Sequence, residues 1–334
     1  MQDLSGELDR LAAETRFSGV VRVDSGDGVV LRAAYGLANR ACDVANTVDT
    51  RFAIASGTKG LTALTIVSLI EEGRLEPGTS ARSVLGADLP LIAEAATIED
   101  LLGHRSGIGD YLDEEDGHDV DEDLLPVPVH ELATTAGYLP LLDGHPPKFP
   151  PGERFAYCNS GYVVLALIAE RVAGTPFHEL VEQLCRRAGL HDTAFDRSDE
   201  LPGRTAVGYL ATEGLRTNVL HLPVRGSGDG GIYSTVSDIR ALWTALFSGR
   251  IVSQEWVERM LRPRSHAVTE SMRYGLGFWL HESRDDVVIL EGYDAGVSFR
   301  TVHDRARDLI HTVVSNTSSG AWPITRALDQ LLAL

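Results

Sequence analysis

The spacing of apolar residues divides the chain into three stretches. Leu4, Leu8, Leu11 and Ala12 recur at helical intervals and predict a short helix over roughly residues 3–15. Phe17–Val23 and Val29–Ala34 are β-rich and separated by Asp24-Ser25-Gly26-Asp27-Gly28, which predicts a hairpin. Tyr35–Asn39 leaves the sheet, and an extended Phe52–Ala55 runs into a helix with Leu61, Leu64, Leu69 and Ile70 on or near one face, stopped at Gly73. From about residue 74 to 230 strand signals thin out and short helices dominate. Thr97 with Glu99 and Asp100 reads as a capped helix start. Ser160 reads as the cap of an apolar helix (Val163, Val164, Leu167, Ile168), and Thr175-Pro176 opens another that Gly189 closes. A helix from Ser237 to about Phe247 then gives way to short β runs at Tyr274–His281, Val287–Glu291, Val297–Val302 and Leu309–Ser315, and Ile324–Leu332 closes the chain as a helix. This order predicts an α+β fold: an antiparallel sheet built from both chain ends and covered by terminal helices, with an all-α lobe inserted. Residues 1–334 form one domain in this reading, its α/β lobe at about 1–73 and 231–334 and its helical lobe at about 74–230. The junction between lobes is the natural cleft.

Composition narrows the function. With 43% hydrophobic and 23% charged residues the chain has the make-up of a globular protein with a sizeable core. Its formal charge of −18 argues against nucleic acid and anionic membrane as partners. The first sixteen residues lack the order of a signal peptide, and no apolar run is long enough to span a bilayer. Cys42, Cys158 and Cys185 are widely spaced, without metal-type pairing, and suit reduced thiols. Together these predict a cytoplasmic protein. Residues 110–123 carry nine Asp or Glu, read as an exposed, solvated loop rather than a metal site. Gly226–Gly231 lacks the Lys-Ser/Thr ending of a phosphate loop, so nucleotide binding is rejected.

The chemistry centres on Ser56-Gly57-Thr58-Lys59. Ser56 and Lys59, three apart at a helix start, share one face. A serine hydroxyl needs a base beside it, and a lysine with a lowered pKa can serve. The helix N-terminus adds N–H groups for an oxyanion. By itself Ser-x-x-Lys also fits a helix cap followed by a solvated lysine.

Further pieces in order carry a resemblance. Tyr157-Cys158-Asn159 follows Lys59 by about 100 residues, with Thr50-Arg51-Phe52, Leu101–Ile108, Pro151–Phe155, Gly230–Ser234 and Tyr274–Gly277 as supporting text. From about residue 17 to 315 the chain resembles the penicillin-recognising serine hydrolases, in particular the class C β-lactamase, D-alanyl-D-alanine carboxypeptidase and esterase group. The resemblance implies a β-lactamase-like fold with the active site between the lobes. It makes Ser56 the acylated nucleophile, has Lys59 and Tyr157 exchange protons with it, and has Asn159 bond an acyl amide or Lys59. Either Lys59 or Tyr157 could be the general base, since the pair titrates together. It implies no metal or organic cofactor.

The family's third motif, Lys-Thr-Gly or His-x-Gly, is matched to Gly292–Phe299, with Tyr293 in place of the cation and Ala295 in place of the glycine. By that match the N–H of Gly296 joins that of Ser56 as an oxyanion hole. Asp294 would repel a substrate carboxylate if it faced the cleft. The reading is therefore a serine hydrolase acting through an acyl-enzyme on a small ester, amide or D-amino-acid peptide, and not an efficient β-lactamase. An acyltransferase of small-molecule biosynthesis and a non-turnover sensor or inactive relative are the alternatives. His104 and Cys158 are expected to be structural, with Cys158 pointing away from the side of Tyr157 and Asn159.

Overall fold

The computed structural model describes residues 2–26, 28–114, 117 and 119–333. Helix α1 (Gln2–Thr15) leads into strands β1 (Gly19–Ser25) and β2 (Gly28–Tyr35), the short pair β3 (Leu37–Asn39) and β4 (Val44–Ala45), and β5 (Phe52–Ala53). A 3-10 turn at Ala55–Gly57 passes into α2 (Thr58–Glu71). The middle of the chain holds α3 (Ala81–Leu85), α4 (Ile98–Leu102), α5 (Leu139–Leu142), α6 (Asn159–Ala173) and α7 (Phe177–Ala188). Strand β6 (Tyr233–Ser234) precedes α8 (Val236–Phe247) and α9 (Gln254–Met260). Strands β7 (Ser265–Ala267), β8 (Met272–Tyr274), β9 (Trp279–His281), β10 (Val287–Asp294), β11 (Val297–Asp304) and β12 (Leu309–Ser315) follow, and α10 (Ala321–Leu331) ends the fold.

The main sheet has the order β2-β1-β12-β11-β10-β9-β8-β7 and is antiparallel throughout. Both chain ends meet at its centre, where β1 pairs β12 from Gly19↔Ser315 to Ser25↔Leu309. The period of two along β1 separates the faces. Val21 and Val23 pack with Leu309, Val313, Leu4 and Leu8 of α1, and Ile324 and Leu328 of α10. Val20 turns the other way, into the main core with Val288, Leu290, Phe299 and Val314. Burying each such aliphatic side chain is worth roughly 1.5–3 kcal/mol.

That core runs on without a break into α2, α6 and α8. Helix α2 differs from its sequence reading as a one-faced helix: Thr58 to Leu69 are all buried. A helix enclosed on every side is a central pillar, so its N-terminal residues are held with little freedom. The sequence also read 274–281 as one strand. Gly275-Leu276-Gly277 instead turns between β8 and β9, pairing Tyr274 with Trp279, with Gly277 at φ +88°. The strand β7 had no reading in the sequence. Among the described residues no helix is long and apolar enough to cross a membrane.

Candidate active site

Strand β5 pairs with β6, and Ile54 N–H donates to Ile232 O at 2.9 Å. This fixes the approach to the 3-10 turn, where Ala55 holds φ +44° and Ser56 is half-buried. Positive φ is costly for a residue with a side chain and persists only where the surroundings enforce it. One turn on, Lys59 is 2% exposed. Its Nζ lies 2.9 Å from Ser56 Oγ, 2.8 Å from Asn159 Oδ1 and 2.8 Å from the carbonyl oxygen of Asp229. Two of these partners can only accept. If Lys59 loses a proton, the two remaining N–H bonds stay on Asn159 and Asp229, and the lone pair faces Ser56 Oγ. Burial is the main cause that pulls the Lys59 pKa below the ordinary lysine range, and Asp229, Glu114, Asp110 and Asp294 pull it back part of the way.

The glycine-rich loop after residue 225 is the second wall. Its Gly228 carbonyl accepts from Thr62 Oγ1 at 2.7 Å, beside the Asp229 carbonyl on Lys59. A Cβ at Gly228 would lie 2.1 Å from Tyr162 O, so only glycine permits this approach. The loop therefore serves to bring two carbonyls onto α2.

Tyr157 and Asn159 stand at the start of α6. The Tyr157 hydroxyl is hydrogen-bonded to that of Ser56. Its ring stacks on Trp279 (5.8 Å, 8°) and on His104 (4.3 Å, 32°), with Lys59 Nζ 4.9 Å from the ring centre. Burial pushes the Tyr157 hydroxyl well above its ordinary value, and the bond to Ser56 opposes this only in part. A tyrosine acting as base needs adjacent cations to lower its pKa; the surroundings of Tyr157 act in the other direction. Asn159 donates from Nδ2 to Leu112 O at 3.0 Å while its Oδ1 receives Lys59. Its backbone N–H and that of Ser160 both donate to the buried Asp110 carboxylate, at 2.7 and 2.8 Å. The acidic run thus begins inside the protein, in contrast to its reading as a solvated loop. Ser160 is not the cap: Cys158 Sγ accepts from Gly161 N–H at 3.4 Å, and Ser160 Oγ accepts from Tyr111 N–H.

Strand β10 forms the third wall. A Cβ on Gly292 would lie 2.3 Å from Ile54 O, 2.7 Å from Ser56 N and 2.9 Å from Gly57 N. Gly292, not Ala295 or Gly296, is the glycine against the nucleophile. Gly296 sits in the β10–β11 turn and gives its N–H to Ser318 Oγ at 2.8 Å, which differs from its expected place beside Ser56. Tyr293 is 48% exposed, with its ring near Trp322. Leu290, two residues before Gly292, packs where a Cβ on Gly60 would be. Asp294 does line a cleft, of ≈ 560 Å³, together with Asp229, Tyr111, Tyr138 and Asn218. Tyr111 donates its hydroxyl to the Asp229 carboxylate at 2.5 Å. Burial pushes Asp294 up to about 7, with the Asp229 charge adding to it and the Ala295 N–H and Lys59 opposing.

Comparison with known proteins identifies the family. The Beta-lactamase family model matches residues 4–333. The chain belongs to the beta-lactamase family. A penicillin-binding protein from Bacillus halodurans superposes with a TM-score of 0.90 at 36% identity, covering 97% of this chain and 99% of that one. A D-aminopeptidase of Brucella anthropi is 28% identical over 79% of this chain and 49% of its own length. Esterase EstB of Burkholderia gladioli is 31% identical over 62% of this chain and 54% of its own length. The chain spans between 49% and 66% of the length of these and other curated relatives.

As a beta-lactamase family member, the chain brings Ser56, Lys59, Tyr157 and Asn159 together as its sequence indicated. Asp110 and Asp229 were missed. Each binds groups 49 to 170 positions away, and neither spacing nor composition carries that. Gly292 had a signal: it is the glycine that ends the apolar run of β10, four residues before Gly296.

Proposed function

We propose that this protein is a serine hydrolase that forms an acyl-enzyme on Ser56 and releases it to water. The observation that carries the reading is Lys59, whose three contacts leave only one direction for a lone pair, toward Ser56 Oγ. Lys59 takes the Ser56 proton as Oγ attacks the substrate carbonyl. Tyr157, kept protonated by its burial, hands a proton to the leaving group and recovers one from Lys59.

The oxyanion forms against the N–H of Ser56 and a second N–H from β10. Asp294 and Val297 close a two-residue turn, so they face each other as a hydrogen-bonded pair. By alternation Gly292 also bonds toward β11, and Tyr293 turns its N–H to the opposite edge. Strand β9 pairs only with Val288 and Ile289, which leaves that edge open near Ser56. The Tyr293 amide is thus the second donor, in place of Gly296. With Gly292 as the motif glycine, the position of the family's cation or imidazole falls on Leu290.

The substrate is a small ester, amide or D-amino-acid peptide with an amino group on its acyl side. Asp229 and Asp294 line the adjoining cleft, and none of its lining residues is Lys, Arg or His. Such a lining attracts an ammonium and disfavours the carboxylate of a penicillin. The D-aminopeptidase relative supports this choice. The test compares D-alanine p-nitroanilide, its N-acetyl form and a penicillin, following product and intact-protein mass, with Ser56→Ala as control. The free amine should be preferred at least about tenfold in kcat/KM, a difference of ~1.4 kcal/mol. Rapid penicillin turnover with a low KM would overturn the substrate assignment.

A further inference from the structure

His104 carries two unfavourable features at once. It holds φ +54°, a region that disfavours side chains, and its Nε2 is buried without a hydrogen-bond partner. An unpaired buried donor costs about 1–3 kcal/mol. Such a combination persists where something else depends on it.

What depends on it is the segment around Tyr157. The carbonyl oxygen of His104 accepts the N–H of Ala156 at 2.9 Å, and its Nδ1 accepts the N–H of Cys158 at 3.0 Å. One residue thus takes the amide protons on both sides of Tyr157. Its ring then backs the phenol at 4.3 Å, inside a ring of Phe155, Tyr162 and Tyr274. Because Nδ1 accepts, the imidazole is neutral with its proton on Nε2. A protonated ring would turn an N–H against the Cys158 N–H. The aromatic cage excludes water, which keeps the ring in that form.

We propose that His104 is a positioning residue that fixes Tyr157 by clamping the backbone on either side of it and supporting its ring. The claim rests on the role given to Tyr157 above and adds a residue that does not touch substrate. The left-handed backbone matters here, because it lets one residue offer its carbonyl and its side chain to the same segment before α6.

The test uses the full chain with His104→Ala and His104→Asn. Asparagine tolerates positive φ and can place Oδ1 where Nδ1 accepts. Three readouts are taken: amide exchange of a peptide covering residues 155–159, the rate at which a fluorophosphonate modifies Ser56, and kcat and KM for a chromogenic short-chain ester. In His104→Ala, exchange should rise at least about tenfold, and acylation rate and kcat should fall ~100-fold with KM changed less than about threefold, as expected for a misplaced group. His104→Asn should recover exchange protection and most of kcat. A folded His104→Ala with unchanged exchange, or with raised exchange and wild-type kcat, overturns the proposal. Failure of His104→Asn to recover kcat while restoring protection overturns it too. If wild-type Ser56 proves unreactive, the acyl-enzyme reading falls, and exchange alone upholds or refutes the clamp.

Discussion

Gly292 lies against the amide of Ser56 so closely that a single methyl group would stand 2.7 Å from that nitrogen and 2.3 Å from the Ile54 carbonyl oxygen. Both obstacles are backbone, which cannot rotate away. Gly292→Ala is therefore expected to push β10 off the 3-10 turn. Overpacking of this kind costs about 1–3 kcal/mol, and the Ser56 acylation rate should fall ~100-fold or more. Thermal melts and fluorophosphonate labelling check the two effects, and wild-type labelling in a stable variant would remove β10 from the oxyanion site.

Lys59 must be neutral to accept the proton of Ser56. The acylation rate should rise with pH and level off above the Lys59 pKa, at a midpoint below the ordinary lysine range. Lys59→Arg keeps the charge and cannot become neutral at usable pH, so it should lose activity by ~10³-fold, close to Lys59→Ala. A rate that is flat or falling as pH rises toward the ordinary lysine range would exclude Lys59 as the base.

Asp110 receives two buried backbone N–H groups at the start of α6. Asp110→Ala strands both and should destabilise the fold by about 2–4 kcal/mol in urea melts. Asn159 follows its own amide, so kcat should fall as well. Asp110→Asn keeps one acceptor and should land between. Unchanged stability in Asp110→Ala would show that the N–H groups find other partners.

Asp294 has a folded pKa of about 7, above the unfolded carboxylate value. The folded state holds the extra proton in that window. Its contribution is greatest at low pH, is lost as pH rises from ~4 to about 7, and is flat above. Asp294→Asn should flatten that slope and gain on the order of 1–2 kcal/mol at pH 8, discounted for the part of Asp294 that solvent reaches. Denaturant melts of both proteins from pH 4 to 8, about the span of that titration, measure it, and parallel curves would refute the buried-carboxylate account.

The sheet, the terminal helices and the Ser56–Lys59–Tyr157–Asn159 group were legible because each is written locally, in periodicity or in a motif at a helix start. What was lost depends on register. The segment Glu291–Phe299 contains Gly292 and Gly296, and sequence alone does not say where the hairpin turns. Choosing the later glycine moved the proposed oxyanion donor from Tyr293 into the turn. Asp110 failed for a different reason: it opens a run of acidic residues that reads as a charge run, and its partners lie 49 and 50 positions on.

The pairing of β1 with β12 also has a consequence for synthesis. Ser56, Lys59, Tyr157 and Asn159 are all made in the first half of the chain, but Gly292 and the strand that carries it come more than 130 residues after Tyr157. The leading hairpin waits for β12 at Leu309–Ser315 before its inner edge is covered. A ribosome-bound chain thus holds the proposed nucleophile and base with no third wall. Reactivity should switch on abruptly once the last strands arrive, which keeps an activated serine from being spent on whatever lies nearby during translation.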